Sequence, residues 1–102
     1  MGRAERMEGL LRAAFAPGFL VVEDESARHA GHAGARPGGE THYRVALVSA
    51  SFEGSSRVER QRAVHAALRA EFATGLHALS LVLRTPDEAR AAPPASRQDR
   101  SM

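Results

Sequence analysis

The stretch L-H-A-L-S-L-V-L-R, from Leu76 to Arg84, is the most apolar run of the chain. Gly75 precedes it and Thr85-Pro86 follows it, and residues of these types commonly end regular structure. Its short length and partial alternation predict a strand, and its two apolar faces favour a central position in a sheet. His77, near the start of the run, is therefore the first candidate for a metal ligand.

The segment on the N-terminal side of this strand predicts a helix. Ser56, with Glu59 three residues further on, is a capping-box pattern that marks the helix start. The helix should end at Thr74-Gly75, because glycine commonly stands just beyond a helix C-terminus. Its apolar stripe is predicted to consist of Val64, Ala67, Leu68 and Phe72.

The beginning of the chain predicts another helix and then two strands. The helix covers residues 3–16, with Arg3 and Arg6 off its apolar stripe. The strands are Phe19–Glu25 and Glu40–Ser49, which should pair antiparallel. One face of the second strand is predicted to carry Tyr43, Val45 and Leu47, and the other His42, Arg44 and Ala46.

The order of these elements predicts the fold class. A strand–helix–strand connection within one sheet is right-handed, which sets Leu76–Arg84 parallel to the second strand. Thr85-Pro86 begins a last short helix. We therefore expect an α+β fold of order α-β-β-α-β-α, with a three-stranded mixed sheet and the long helices packed on one face. Residues 1–90 form the predicted domain, and 91–102 a disordered tail.

Composition narrows the range of functions. The chain has 102 residues, a net charge of +2 and no cysteine. It shows no secretory signal and no apolar run of membrane-spanning length, so we expect a cytoplasmic protein without membrane contact. No Ser-His-Asp set or carboxylate pair stands out, and we expect no enzymatic activity.

Five histidines are more than a chain of this size needs. His29 and His32 fall in the predicted loop Ser26–Gly39, which can lie at the same end of the sheet as His77. One of them and His77 could then face a single metal, since neutral imidazole suits iron, zinc or copper. Two imidazoles do not complete a tetrahedral site, and iron–sulfur clusters are held mostly by thiolates. Any cluster must therefore be shared with a partner that supplies sulfur.

The remaining two histidines have other expected roles. His42 is expected to stand on the sheet and orient a neighbour, and His65 flanks the apolar stripe of the second helix. Both are expected to be surface or partly buried histidines with hydrogen-bonding roles.

A second group of candidate residues is basic. The predicted second helix carries arginines that could contact phosphates, at positions Arg57, Arg60, Arg62 and Arg69. The alternative is a solvated helix face with Glu59 and Glu71 nearby, which we favour. A G-x-x-G at residues 31–34 matches the loop of KH modules, but it lies in a hairpin rather than between helices and is discounted.

Four motifs in this order and spacing resemble the BolA-like proteins. They are D-E-S-x-x-H at Asp24–His29, E-T-H-Y at Glu40–Tyr43, V-S-x-x-F-E-G at Val48–Gly54 and H-A-L-S-L at His77–Leu81. The resemblance extends from about the first helix to Arg90. It implies a fold similar to a class II KH domain, α-β-β-α-β, in agreement with the order predicted above.

The resemblance also implies a partner and a cofactor. BolA-like proteins pair with monothiol glutaredoxins and share a two-iron, two-sulfur cluster, with sulfur supplied by the glutaredoxin and its glutathione. The strand-start ligand corresponds to His77, and D-E-S-x-x-H points to His29 as the hairpin-loop ligand, in the histidine rather than the cysteine subgroup. His32 is the alternative. No cluster is expected on the isolated chain, which should be a monomer or weak homodimer.

The family also includes transcriptional regulators that bind DNA, which is the alternative function. The KH-like shape and the helix arginines are compatible with it. One departure from the family pattern is Arg60-Gln61-Arg62, where the family often has Arg-His-Arg. Gln61 takes the place of the middle histidine in this chain. A role of that histidine in the family, such as partner contact, is therefore not carried over to Gln61.

Overall fold

The computed structural model describes residues 2–25 and 42–91. The predicted hairpin loop with His29 and His32 and residues 92–102 of the predicted disordered tail lie outside this described part, whereas Ala91 ends the last helix. In chain order the elements are α1 (Arg3–Phe15), β1 (Phe19–Asp24), β2 (His42–Val48), a 3₁₀ turn (Ala50–Phe52), α2 (Arg57–Ala67), α3 (Arg69–Ala73), β3 (Ala78–Arg84) and α4 (Pro86–Ala91).

The sheet has the predicted strand directions. β1 pairs antiparallel with β2, and β2 pairs parallel with β3. Side chains on β2 alternate as expected, since Tyr43, Val45 and Leu47 are buried and their neighbours are half-buried. The predicted α+β fold with a three-stranded mixed sheet is confirmed.

The predicted central position of β3 is wrong, because the strand order is β1-β2-β3 and β2 lies in the middle. β1 occupies one edge of β2, so the right-handed crossover can add β3 only at the other. The two apolar faces of β3 have a different cause. Leu79, Leu81 and Leu83 pack against the helix-covered core, while Val82 lines the opposite face of the sheet.

The long helices cover one face of the sheet, as predicted. Met7 and Leu11 of α1 and Val64 of α2 are fully buried and join the residues of β2 in one core. The opposite face is left open, and Phe19 on β1 is 53% exposed there.

The predicted second helix is divided into two. The capping box of Ser56 and Glu59 forms as expected. The helix breaks at Leu68, whose backbone (φ −102°, ψ 15°) leaves the helical region while its side chain is fully buried. Leu68 is a good helix former, so its sequence contains no signal for the break. The helix propensity of Leu68 therefore does not explain the break.

The turns around the last strand follow the sequence signals. Gly75 has φ +130°, a backbone region that other residues rarely adopt. Thr85 and Glu88 cap each other across the start of α4, with Thr85 N–H donating to Glu88 Oε1 at 2.9 Å. The described residues contain no helix that is long and apolar enough to cross a membrane.

Candidate metal centre at the strand edge

His77 lies in the short link between Gly75 and β3, at the edge of the sheet. Its side chain is exposed, while the preceding Leu76 is 4% exposed and anchors the link in the core. Solvent and a partner can therefore reach the imidazole, although its backbone is fixed on one side by a buried residue. This agrees with the expectation that His77 stands at the mouth of the strand.

Arg3, the first residue of α1, forms hydrogen bonds with the segment just before His77. Arg3 donates from Nη1 to Glu71 Oε1 at 2.7 Å and to the carbonyl oxygen of Glu71 at 3.1 Å. Its Nη2 donates to the carbonyl oxygen of Thr74 at 3.0 Å. Arg3 is only 8% exposed, so its place off the apolar stripe of α1 does not leave it in solvent. It therefore connects α1 to the end of α3, just before His77.

Glu71 is the acidic partner in this network, and it is 5% exposed. The expectation of a solvated Glu71 is therefore wrong, because two arginines of α1 reach over it. The hydrogen bond from Arg6 lowers the pKa of Glu71, and the charges of Arg6 and Arg3 act in the same direction against the effect of burial. The carboxylate is thus held ionised within the fold.

His42 begins β2 and lies beside His77. The two ring centres are 5.9 Å apart, and the ring planes are inclined by 53°. In the parallel register His42 is opposite Ala78, which directly follows His77. His42 was not among the residues predicted as ligands. The signal that could have identified it is the register of the two parallel strands, which needs the sheet alignment.

The segment with the loop histidines is attached at this same end of the sheet. The backbone N–H of Glu25 donates to the carbonyl oxygen of His42 at 2.8 Å, so the chain leaves β1 and enters β2 here. His29 and His32 themselves lie outside the described residues. Their assignment as loop ligand and alternative stays a prediction.

His65 lies on α2 and contacts an aromatic ring of α3. Its ring stacks on that of Phe72, with centres 5.0 Å apart and planes inclined by 10°. The contact seen for His65 is therefore ring packing, and the hydrogen-bonding role expected for it stays a prediction.

The four arginines predicted as phosphate contacts do not have equal surroundings. Arg60 forms two hydrogen bonds with the Glu88 carboxylate, at 2.6 and 3.0 Å, and also donates to the carbonyl oxygen of Leu83. The hydrogen bond from Arg60 lowers the pKa of Glu88 to about 2, with help from the Thr85 N–H.

The exposed basic candidates are Arg57 and Arg62 on α2 and Arg69 on α3. The predicted group therefore spans two helices, and one of its members, Arg60, is engaged within the fold.

Residues 11–88 match the family described as BolA-like protein. The chain belongs to the BolA-like family. It is 51% identical over 88 residues to the protein BOLA1, chloroplastic, of Arabidopsis thaliana, a match covering 84% of this chain and 55% of that protein. The solved structure of BolA1 from Arabidopsis thaliana superimposes with a TM-score of 0.77 at 47% identity, covering 91% of this chain and 98% of that one.

A bacterial BolA-like relative is named for a role in transcription. The DNA-binding transcriptional regulator BolA of Escherichia coli is 47% identical over 77 residues, which cover 76% of this chain and 70% of that protein. The chain spans about half or less of the length of several curated relatives that it matches. Two relatives from Arabidopsis thaliana have names that place them in chloroplasts or mitochondria, so the cytoplasmic location predicted for this chain stays a prediction.

Proposed function

We propose that this BolA-like chain is a non-enzymatic adaptor that shares a two-iron, two-sulfur cluster with a monothiol glutaredoxin, in cluster trafficking or iron signalling. The observation that carries the proposal is the exposed His77 imidazole at the sheet edge, within the H-A-L-S-L motif. Membership of the family supports it, because a shared cluster is what the resemblance implies.

The donor set of the chain fits a shared cluster rather than a private one. The chain has no cysteine, and among residues 2–25 and 42–91 no three histidine or carboxylate side chains come together as a ligand set. His77 would hold the cluster, with His29 or, as the alternative, His32. The glutaredoxin and glutathione would provide thiolate sulfur, which suits iron in such clusters. When bound, the cluster supplies one-electron chemistry and a transferable iron–sulfur unit.

The surrounding residues of the chain fix the backbone position of His77. Arg3 and Leu76 fix the backbone on its N-terminal side, and β3 fixes it on the other. A ligand held in this way needs little reorganisation when a partner docks, which lowers the entropic cost of binding.

The test mixes the full chain with a cluster-loaded monothiol glutaredoxin and records visible absorbance and circular dichroism. The wild type should change the spectrum, and His77→Ala should lose or alter that change. His65→Ala is the matched control, because this imidazole stacks on Phe72 and is not paired with another histidine there. An unchanged spectrum without complex formation would refute the proposal, and a His77→Ala spectrum equal to that of the wild type would remove His77 from the site.

The second candidate function is DNA binding. It is favoured by the similarity to the Escherichia coli relative, which is named as a DNA-binding transcriptional regulator. The exposed Arg57, Arg62 and Arg69 are its candidate phosphate contacts, whereas Arg60 would first have to leave Glu88. Binding dominated by phosphates weakens steeply as salt rises. An affinity at physiological salt that is no tighter than nonspecific binding would exclude this function.

A further inference from the structure

His42 and His77 form an imidazole pair, of which the cluster proposal uses only His77. Their ring centres lie 5.9 Å apart, where the parallel strands β2 and β3 begin. His77 is exposed and His42 half-buried, so the space between the rings is accessible from solvent. Two metal-competent side chains on adjacent strands therefore meet at one edge of the sheet.

The spacing of the two rings is close to that of a shared metal ion. An ion about 2.0 Å from one nitrogen of each ring lies about 3.2 Å from each ring centre, so tetrahedral coordination places the centres about 5.2 Å apart. The observed 5.9 Å is slightly longer. The exposed side chain of His77 can close this gap by rotating about its own bonds.

The described residues add no further ligand set to the pair. Among residues 2–25 and 42–91, no third histidine or carboxylate joins His42 and His77 as a metal-binding group. The inference is therefore carried by the two imidazoles and their spacing.

We infer that His42 and His77 of the isolated chain bind one divalent late transition-metal ion, such as Zn²⁺, Co²⁺ or Cu²⁺. With two protein ligands the ion is exchangeable, and Cu²⁺ binds more tightly than Co²⁺ because imidazole sites follow that order. The inference shares His77 with the proposed cluster site but needs no glutaredoxin.

The test titrates the isolated full chain with Zn²⁺ by calorimetry, beside His42→Ala, His77→Ala and the control His65→Ala. The wild type should bind one equivalent. Loss of an outer-shell partner already lowers metal affinity about 10–100-fold, so loss of either ligand should lower it at least about tenfold. His65→Ala should bind as the wild type does.

A measurement on the wild type guards against an unfolded His42 variant. Substoichiometric Cu²⁺ should broaden the imidazole NMR signals of both His42 and His77 and leave that of His65 sharp. Absence of saturable binding, a folded His42→Ala with wild-type affinity, or broadening confined to His29 or His32 would overturn the inference. Because no glutaredoxin is present, failure here leaves the cluster proposal standing, and failure of the cluster test leaves this site standing.

Discussion

Replacing Glu71 by glutamine tests whether the buried ionic network before His77 stabilises the fold. Glu71 is 5% exposed and accepts from Arg3 Nη1 at 2.7 Å and from Arg6 Nε at 3.0 Å. Glu71→Gln keeps the shape of the side chain but removes its negative charge. The cation of Arg3, whose side chain is 9% exposed, is then left buried without its counter-ion.

The expected loss follows from what Arg3 and Arg6 retain. Breaking a buried ion pair by removing one partner costs about 3–5 kcal/mol of unfolding free energy. Arg3 keeps the carbonyl oxygens of Glu71 and Thr74 as acceptors, which favours the lower end of this range. The Arg6 side chain is 41% exposed, and such a surface pair contributes only about 0–1 kcal/mol. We therefore expect a loss of about 3 kcal/mol.

Thermal and urea denaturation measure this loss directly. For a domain of about 100 residues, 3 kcal/mol corresponds to a decrease in Tm of about 12–24 °C. Glu53→Gln, at an exposed carboxylate, is the control and should stay within about 0.5 kcal/mol of the wild type. A loss below about 1 kcal/mol for Glu71→Gln would refute the argument, because that is the value of an exposed pair.

The pH dependence of the same variant has a defined sign. The pKa of Glu71 is lower in the folded chain than its ordinary value of 4.5. Its stabilising effect is therefore fully present above the unfolded pKa and is lost as pH falls through the folded pKa. The difference in stability between wild type and Glu71→Gln should shrink in acid. A difference that grows in acid would contradict the lowered pKa.

Two further substitutions follow from the same surroundings. Gly75→Ala forces a side chain into a backbone with φ +130° and places its Cβ 2.9 Å from Arg3 Nη2. Urea denaturation should therefore show a loss of unfolding free energy of about 1–3 kcal/mol. The control Gly9→Ala, in open space within α1, should stabilise the chain by about 0.5–1 kcal/mol. Equal effects at both glycines would contradict this. Glu88→Gln removes a carboxylate whose pKa is lowered by Arg60 from 4.5 to about 2. As pH falls from 4.5 to about 2, the urea midpoint of the variant should therefore decrease less than that of the wild type. Parallel pH profiles of the two proteins would show that the Arg60–Glu88 pair does not stabilise the fold.

Local patterns in the sequence determined most of the element order. The alternation of β2 is visible because one of its faces is buried and the other is not, and period two is a property of any strand. Ser56 and Glu59 satisfy each other within one helical turn, so the start of α2 needs no distant contact. The parallel direction of β3 follows from the helical crossover that connects it to β2. The motif around His77 likewise pointed to an exposed strand-start position, which the structure shows.

Distant contacts decided the rest. Whether β3 is central or at an edge depends on which side of β2 is vacant, and no residue of β3 records that. The break at Leu68 does not come from a helix-breaking residue, and its local sequence contains no signal for it. Arg3 and Glu71 are 68 residues apart, and His42 and His77 meet through strand register. Contacts of this kind are determined by how helices and strands pack against one another. The pattern of residues within a single element contains no information about them.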